Sequence, residues 1–295
     1  MISYDLIQYF ISKIPLMANF LIVGSWKERG RNYFHYSSPV PIPFRFAVSS
    51  GEYAVKRASQ NGIAIEVYYH PTHHENVYHL IAEAKNTIAY CEENFGKYPF
   101  RSIRFAEISG FTEGFAATAY PAAVFMSEAM TFHADIRKER RRDVINELAG
   151  HELSHQWWGT AQIAPDDREG AAMLTETLAM YTELMLFKRA HGIEAVKKIV
   201  AMHQEIYERG KGYTTEEPLY KVKPGNVHIS YNKGLVAMYQ LYELIGEEKV
   251  NLALKQFIFR YSFPNYPPAS IDLINEFLSV SDTSFHKQIK KIFMQ

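Results

Sequence analysis

The chain has 295 residues, 47% of them apolar, enough to bury a real core in one large domain or two smaller ones. Basic and acidic residues balance at 32 each, which removes the electrostatic case for a nucleic-acid partner. The single cysteine, Cys91, cannot close an internal disulfide, so the fold does not depend on an oxidising compartment.

Residues 1–24 are rich in apolar side chains, but Asp5 and Lys13 interrupt them and Pro15 breaks the run. No signal peptide is legible, and no stretch reaches the roughly 20 apolar residues needed to cross a bilayer. The chain as it stands therefore reads as a soluble module without membrane contact of its own. Residues 1–56 read as irregular or β-rich. Residues 20–23 form a short apolar run, residues 33–36 are aromatic and strand-prone, and Pro39, Pro41 and Pro43 mark an extended connection.

A strand is expected over residues 62–69, rich in β-branched and aromatic side chains. His70, His73 and His74 follow within five positions. Pro71 between them favours a solvated turn over a metal cluster. Val77, Leu80, Ile81, Ala84, Ile88 and Cys91 keep a helical period, with Gly96 as the stop. Cys91 on that helix is expected to be packed rather than reactive. Strands are expected again over 103–108 and 120–126. The basic run at 137–142 reads as a solvated helix start. From about residue 136 the chain is helical, with segments at 137–158, 171–190, 193–209, 230–245 and 248–262. Gly192, Gly210 and Gly246 punctuate their ends. Strands first and helices later indicate an α+β fold.

The chemistry concentrates in His151-Glu152-Leu153-Ser154-His155. Residues four apart on a helix lie one above the other, about 6 Å along the axis. Two imidazoles so spaced can ligate one zinc ion, and Glu152 stands one step round the helix. Zinc lowers the pKa of a bound water towards roughly 7, and a neighbouring carboxylate can take its proton. That pattern is the working end of a metalloprotease. Such a site needs a third protein ligand and an open fourth position. Glu176, after twenty intervening residues, lies on the next helical segment, where Leu174, Leu178, Tyr181 and Met185 recur at three- and four-residue intervals. The turn from Ala164 to Gly170 lets that segment return beside the first. A structural zinc site is disfavoured, because such sites are usually closed by four Cys or His ligands.

The segment His151 to Gly159, ending Gln156-Trp157-Trp158-Gly159, followed by Leu174-Thr175-Glu176-Thr177-Leu178-Ala179-Met180-Tyr181, resembles the aminopeptidase N-like family of zinc metallopeptidases, the gluzincins, which includes leukotriene hydrolase. It is most similar to a bacterial branch in which such a peptidase module is fused to an ABC-transporter permease. That branch shares the longer spacing before the third ligand. Ile229-Ser230-Tyr231-Asn232-Lys233-Gly234 is similar to the family's Tyr-x-Lys-Gly segment.

The resemblance implies a thermolysin-like catalytic domain over residues 57–283, a mixed sheet with helices followed by a helical half. It makes 1–56 the tail of an N-terminal β domain, with 44–48 as its last strand, and 284–295 the start of a truncated helical region. The strand at 120–126 would lie at the edge where a substrate backbone pairs. One Zn2+ ion is implied, held by His151, His155 and Glu176. Glu152 would act as base, and Tyr231 would donate to the oxyanion of a peptide substrate. The parent protein would be membrane-embedded, with this module in an aqueous compartment.

One departure stands out. Most aminopeptidases of the family carry Gly-x-Met-Glu-Asn upstream, whose Glu binds the substrate's α-amine. Here Ala116, Ala117, Thr118 and Ala119 occupy that region, and Glu113 is the one nearby substitute. The departure keeps a second reading in view: a zinc-containing peptide-binding module with little or no catalysis, serving a transporter-associated parent.

Overall fold

A computed structural model describes residues 5–10, 16–18, 21–110, 115–136 and 144–295. They form two compact units, one of residues 1–89 and 98–156, the other of residues 90–97 and 157–295.

The first unit holds all ten strands found among the described residues. A three-stranded antiparallel sheet joins β1 (Asp5–Phe10), β3 (Leu21–Glu28) and β4 (Arg31–Ser37) in the order β1-β4-β3. Trp26 stacks on Tyr33 across it, ring centroids 5.2 Å apart. β2 (Leu16–Ala18) pairs with β5 (Val48–Ser50). The strand expected over 44–48 does not form: only Val48 of that segment enters β5. Pro41 and Pro43 withhold amide donors just upstream, and Phe44 stands 80% exposed, stacked edge-on to Phe46 rather than laid into a sheet.

The main sheet has five strands in the order β6-β7-β8-β10-β9. β6 (Ala54–Gln60) and β7 (Ile63–Tyr69) make a hairpin whose two-residue turn, Asn61-Gly62, has φ of +52° and +80°. An Asn-Gly pair tolerates that left-handed conformation, and its twist matches the strands it joins. β7, β8 (Ser102–Ile108) and β10 (Ala123–Ser127) run parallel, and β9 (Ala117–Tyr120) closes the edge antiparallel to β10. The single strand expected over 120–126 is therefore the hairpin β9–β10. Pro121 and Ala122 break it, with Ala122 at φ +61°. Ile65, Val67, Ile103, Phe105, Val124 and Met126 are fully buried, so the sheet carries much of this unit's core. Helix α1 (Val77–Asn94) presents the expected buried stripe of Val77, Leu80, Ile81, Ala84, Ile88 and Cys91. Helix α2 (Val144–Ser154) completes the unit. The basic run at 137–142 and Glu113 lie outside the described residues.

The second unit takes in the last turn of α1 and the helices α3 (Leu178–His191), α4 (Ile193–Gly210), α5 (Gly234–Ile245), α6 (Glu247–Tyr261), α7 (Ser270–Ser279) and α8 (His286–Met294). Helices α3, α4 and α5 pack on one another, and α6 packs on both α5 and α7. The buried centre includes Trp158, which lies edge-on to Phe95 at 5.0 Å and donates its indole N–H to Thr182 Oγ1 at 3.0 Å. Tyr181 donates to Asn251 Oδ1 (2.9 Å), and Asn251 reaches Asn94 Oδ1 (2.9 Å), so these three polar side chains satisfy one another inside the core. A mixed sheet with helices in one unit and helices in the other is the α+β architecture expected. Among the described residues, no helix is long and apolar enough to cross a membrane.

Candidate metal centre

In the first unit, the last turn of α2 carries His151 and Glu152. The helix expected to continue to 158 ends at Ser154, and His155 opens the turn that follows. Ser154 Oγ donates to the His151 carbonyl at 2.7 Å, and the Gln156 N–H reaches the Leu153 carbonyl at 3.1 Å, which tightens the end. The His151 and His155 rings stay together, centroids 5.0 Å apart and planes at 84°. His151, Glu152 and His155 are 6%, 8% and 7% exposed, so two imidazoles and a carboxylate are gathered in a largely dry place. That donor chemistry fits zinc.

Gln156 clamps the β9–β10 turn from the same unit. Its Oε1 accepts the Ala122 N–H at 2.8 Å, and its Nε2 donates to the Tyr120 carbonyl at 2.9 Å. The chain just past the histidines thus fixes the sheet's edge hairpin. Ala119 in β9 is buried and offers no carboxylate, in the region where the amine-binding Glu of the resembled family stands.

In the second unit, Glu176 and Tyr231 each sit in a π-helical turn. One spans Met173–Thr177 and runs into α3; the other spans His228–Lys233 and runs into α5. Such widened turns recur at functional sites. The Tyr231 hydroxyl donates to Glu176 Oε2. Thr177 Oγ1 donates to the Ser230 carbonyl at 2.6 Å, which ties the two turns together. Asn232, next to Tyr231, bonds His203 Nδ1 through its Oδ1 at 2.8 Å.

Two glycines flank Glu176 through its neighbours. A Cβ on Gly159 would fall 2.7 Å from Thr175 Cγ2, and its φ of +101° disfavours any L side chain. A Cβ on Gly234 would collide with Thr177, 2.9 Å from Cγ2 and 3.1 Å from Cβ. Nothing in the spacing of the sequence marks Gln156, Gly159, Thr177 or Gly234 as positioning residues. The one signal for them is their place in the three motif segments.

His73, expected in a solvated turn, does lie in one, but it is partly buried and its Nδ1 pairs with the buried Glu107 carboxylate. The turn backs onto the end of the sheet, which gives His73 a buried carboxylate partner, while the His70 ring bonds within the turn, its Nδ1 2.7 Å from Thr72 Oγ1.

Residues 79–295 match the peptidase family M1 domain. The chain belongs to peptidase family M1. This is the aminopeptidase N-like family of gluzincins that the motifs point to. Among M1 relatives, human endoplasmic reticulum aminopeptidase 2 is 19% identical over 216 residues, covering 70% of this chain and 22% of that protein. Human endoplasmic reticulum aminopeptidase 1 is 22% identical over 229 residues, 75% and 24% of the two chains. The crystal structure of an M1 zinc metallopeptidase from Deinococcus radiodurans superposes with a TM-score of 0.73 at 16% identity, over 99% of this chain and 64% of that one. A mutant of the Deinococcus enzyme bound to a Tyr-Ser-Ala substrate gives 0.72 at 16% identity, over 99% and 63%. At that identity the likeness is one of fold. The chain spans under a quarter of the two human M1 relatives and under two thirds of these solved M1 chains.

Proposed function

We propose that this M1 chain is a zinc-dependent peptidase that hydrolyses peptide bonds, with His151, His155 and Glu176 as the metal ligands. The observation that carries the reading is the buried His151–Glu152–His155 group at the end of α2. Zinc, when bound, supplies a Lewis acid that polarises the scissile carbonyl and makes water a nucleophile near neutral pH. Glu152 accepts the proton of the attacking water and passes it to the departing amine. Tyr231 donates its hydroxyl hydrogen bond to the oxygen on which negative charge develops. Glu176 orients that hydroxyl beforehand, since it accepts from it. β9, as the edge strand, offers an unpaired side to an extended peptide, which can add to the sheet as a further strand.

Removal of single N-terminal residues is the activity this reading favours, because two of the similar proteins are named aminopeptidases. Glu113 is the proposed substitute for the missing amine-binding carboxylate. The test is cleavage of a peptide library by zinc-loaded protein, with free and with acetylated N-termini, and Glu152→Gln as the blank. Cleavage of free N-termini alone establishes an aminopeptidase. Cleavage of both makes it an endopeptidase with an open cleft. Cleavage of neither overturns the hydrolytic reading and leaves a peptide-binding module. Glu152→Gln should keep its zinc and lose about 10²–10⁴-fold in rate; a fully active, zinc-loaded variant would exclude the mechanism.

A further inference from the structure

The parallel strands β7, β8 and β10 end along the same side of the main sheet, and each delivers one metal-binding side chain there. His73 lies in the turn after β7, Glu107 is the next-to-last residue of β8, and Glu128 follows directly on β10. One ligand atom from each of the three lies within 4.8 Å of the others. Donors around one tetrahedral ion at about 2.0–2.2 Å stand about 3–3.5 Å apart, so small side-chain movements bring all three into range.

The surroundings point the same way. Glu107 is 5% exposed and sits within that distance of a second carboxylate. Two carboxylates so close, one of them removed from water, repel unless a cation or a proton lies between them. Among the described residues no lysine or arginine is ion-paired with either; Glu107 is held by His73 Nδ1 and by the His70 backbone N–H at 2.6 Å. A second imidazole, His133, lies against His73 with centroids 3.8 Å apart, and His70 lies 4.7 Å away. Gly110 leaves space beside Glu128: a Cβ there would come within 3.3 Å of Glu128 Oε1. His70 and His133 are exposed, so an ion can reach the group from solvent.

We infer that His73, Glu107 and Glu128 form a second divalent-cation site, separate from the one proposed for His151 and His155. The mixed imidazole and carboxylate donors select a transition ion of the zinc type over calcium or magnesium. The ion takes the place of the proton between His73 Nδ1 and Glu107 and compensates the two carboxylates. His133 stands ready as a fourth donor. Bound there, the ion ties together the ends of three adjacent strands.

The test is zinc stoichiometry of the full chain, stripped with chelator, dialysed against Zn2+ and measured by elemental analysis. Wild type should hold two ions per chain, the His151→Ala/His155→Ala variant one, and Glu128→Gln one. Added zinc should raise the Tm of His151→Ala/His155→Ala, because an ion that binds only the folded state stabilises it. Adding Glu128→Gln or His73→Ala to that background should abolish the shift while circular dichroism stays unchanged. A His151→Ala/His155→Ala chain that folds but binds no zinc and shows no shift overturns the inference. So does a shift that survives both Glu128→Gln and His73→Ala. Should His73→Ala unfold the sheet, Glu128→Gln alone decides, since Glu128 lies outside the strands and only partly buried.

Discussion

Gly234 lies so close to Thr177 that a single added methyl group would overlap the threonine side chain. The contact joins the start of α5 to the end of the π-helical turn that carries Glu176, and Thr177 also holds the Ser230 carbonyl of the other such turn. The glycine therefore sets how closely Tyr231 and Glu176 approach. Gly234→Ala should cost about 1–3 kcal/mol of stability through overpacking. It should also lower peptidase activity beyond what lost folding explains. Adding Thr177→Ala should relieve the clash and restore part of the Tm, though not the bond to Ser230. Thermal melts of the two single variants and the double variant give the coupling directly. Additive effects would show that the two residues do not act on each other.

The Tyr231 hydroxyl is the neutral donor proposed for the developing oxyanion. Phenylalanine keeps the ring and removes the donor alone. Tyr231→Phe should reduce kcat by about 10²–10³-fold and leave KM within a few-fold of wild type. Zinc content should hold, because Glu176 remains. A rise in KM at constant kcat would instead assign Tyr231 to ground-state substrate binding.

Several elements are readable from the residues alone. The β-branched run of β7 ahead of Pro71, and the apolar stripe of α1 closed by Gly96, have both the right period and clear punctuation. The candidate residues at the end of α2 and just beyond it can be picked out by spacing too, since two histidines four apart with an intervening Glu form a pattern of their own. The β9–β10 hairpin is not readable, because its turn is Pro121-Ala122 rather than a glycine or asparagine pair. The strand that the family resemblance implies over 44–48 fails locally, because Pro41 and Pro43 withhold amide donors just upstream and Phe44 stands exposed. The π-helical turns at Glu176 and Tyr231 are invisible to periodicity: each widens the opening turn of the helical segment that runs on as α3 or α5. The early end of α2 is missed because a sequence pattern does not register the Ser154 bond to the His151 carbonyl. Nor does spacing reveal that Gly159 and Gly234 serve close approach to Thr175 and Thr177, since that depends on distant segments meeting.

Glu66 at the centre of β7 offers a pH test of the main sheet. Burial alone would raise its pKa. The neighbouring Arg104 charge, together with hydrogen bonds from Arg57, Tyr68 and Arg104, outweighs burial and holds the carboxyl below its usual range. Arg57 Nε stands 2.9 Å from Oε1, and Arg104 Nε stands 3.0 Å from Oε2. A carboxyl depressed in the folded state adds stability above its ordinary pKa and loses it as pH falls through the depressed value. Glu66→Gln should therefore cost roughly 1–3 kcal/mol at pH 7. The gap from wild type should narrow as the medium is acidified into that range. Urea unfolding across the acid limb measures it, and a gap that stays constant would remove the ion pairs from the account.

Cys91 is fully buried on α1, and desolvation, with a smaller contribution from Glu92, pushes its thiol well above its ordinary pKa. Only the thiolate attacks disulfide reagents, so this cysteine is protected twice, by lack of access and by lack of ionisation. In the native protein a chromogenic disulfide reagent at mildly alkaline pH should release no signal over the time in which a free thiol reacts fully. In denaturant it should release one equivalent. The rate in the native state then reports opening of the α1 core rather than thiol chemistry. It should rise in step with any substitution that destabilises α1, such as Leu80→Ala, expected to cost about 2–5 kcal/mol. Fast labelling of the folded wild type would mean that α1 opens locally without global unfolding.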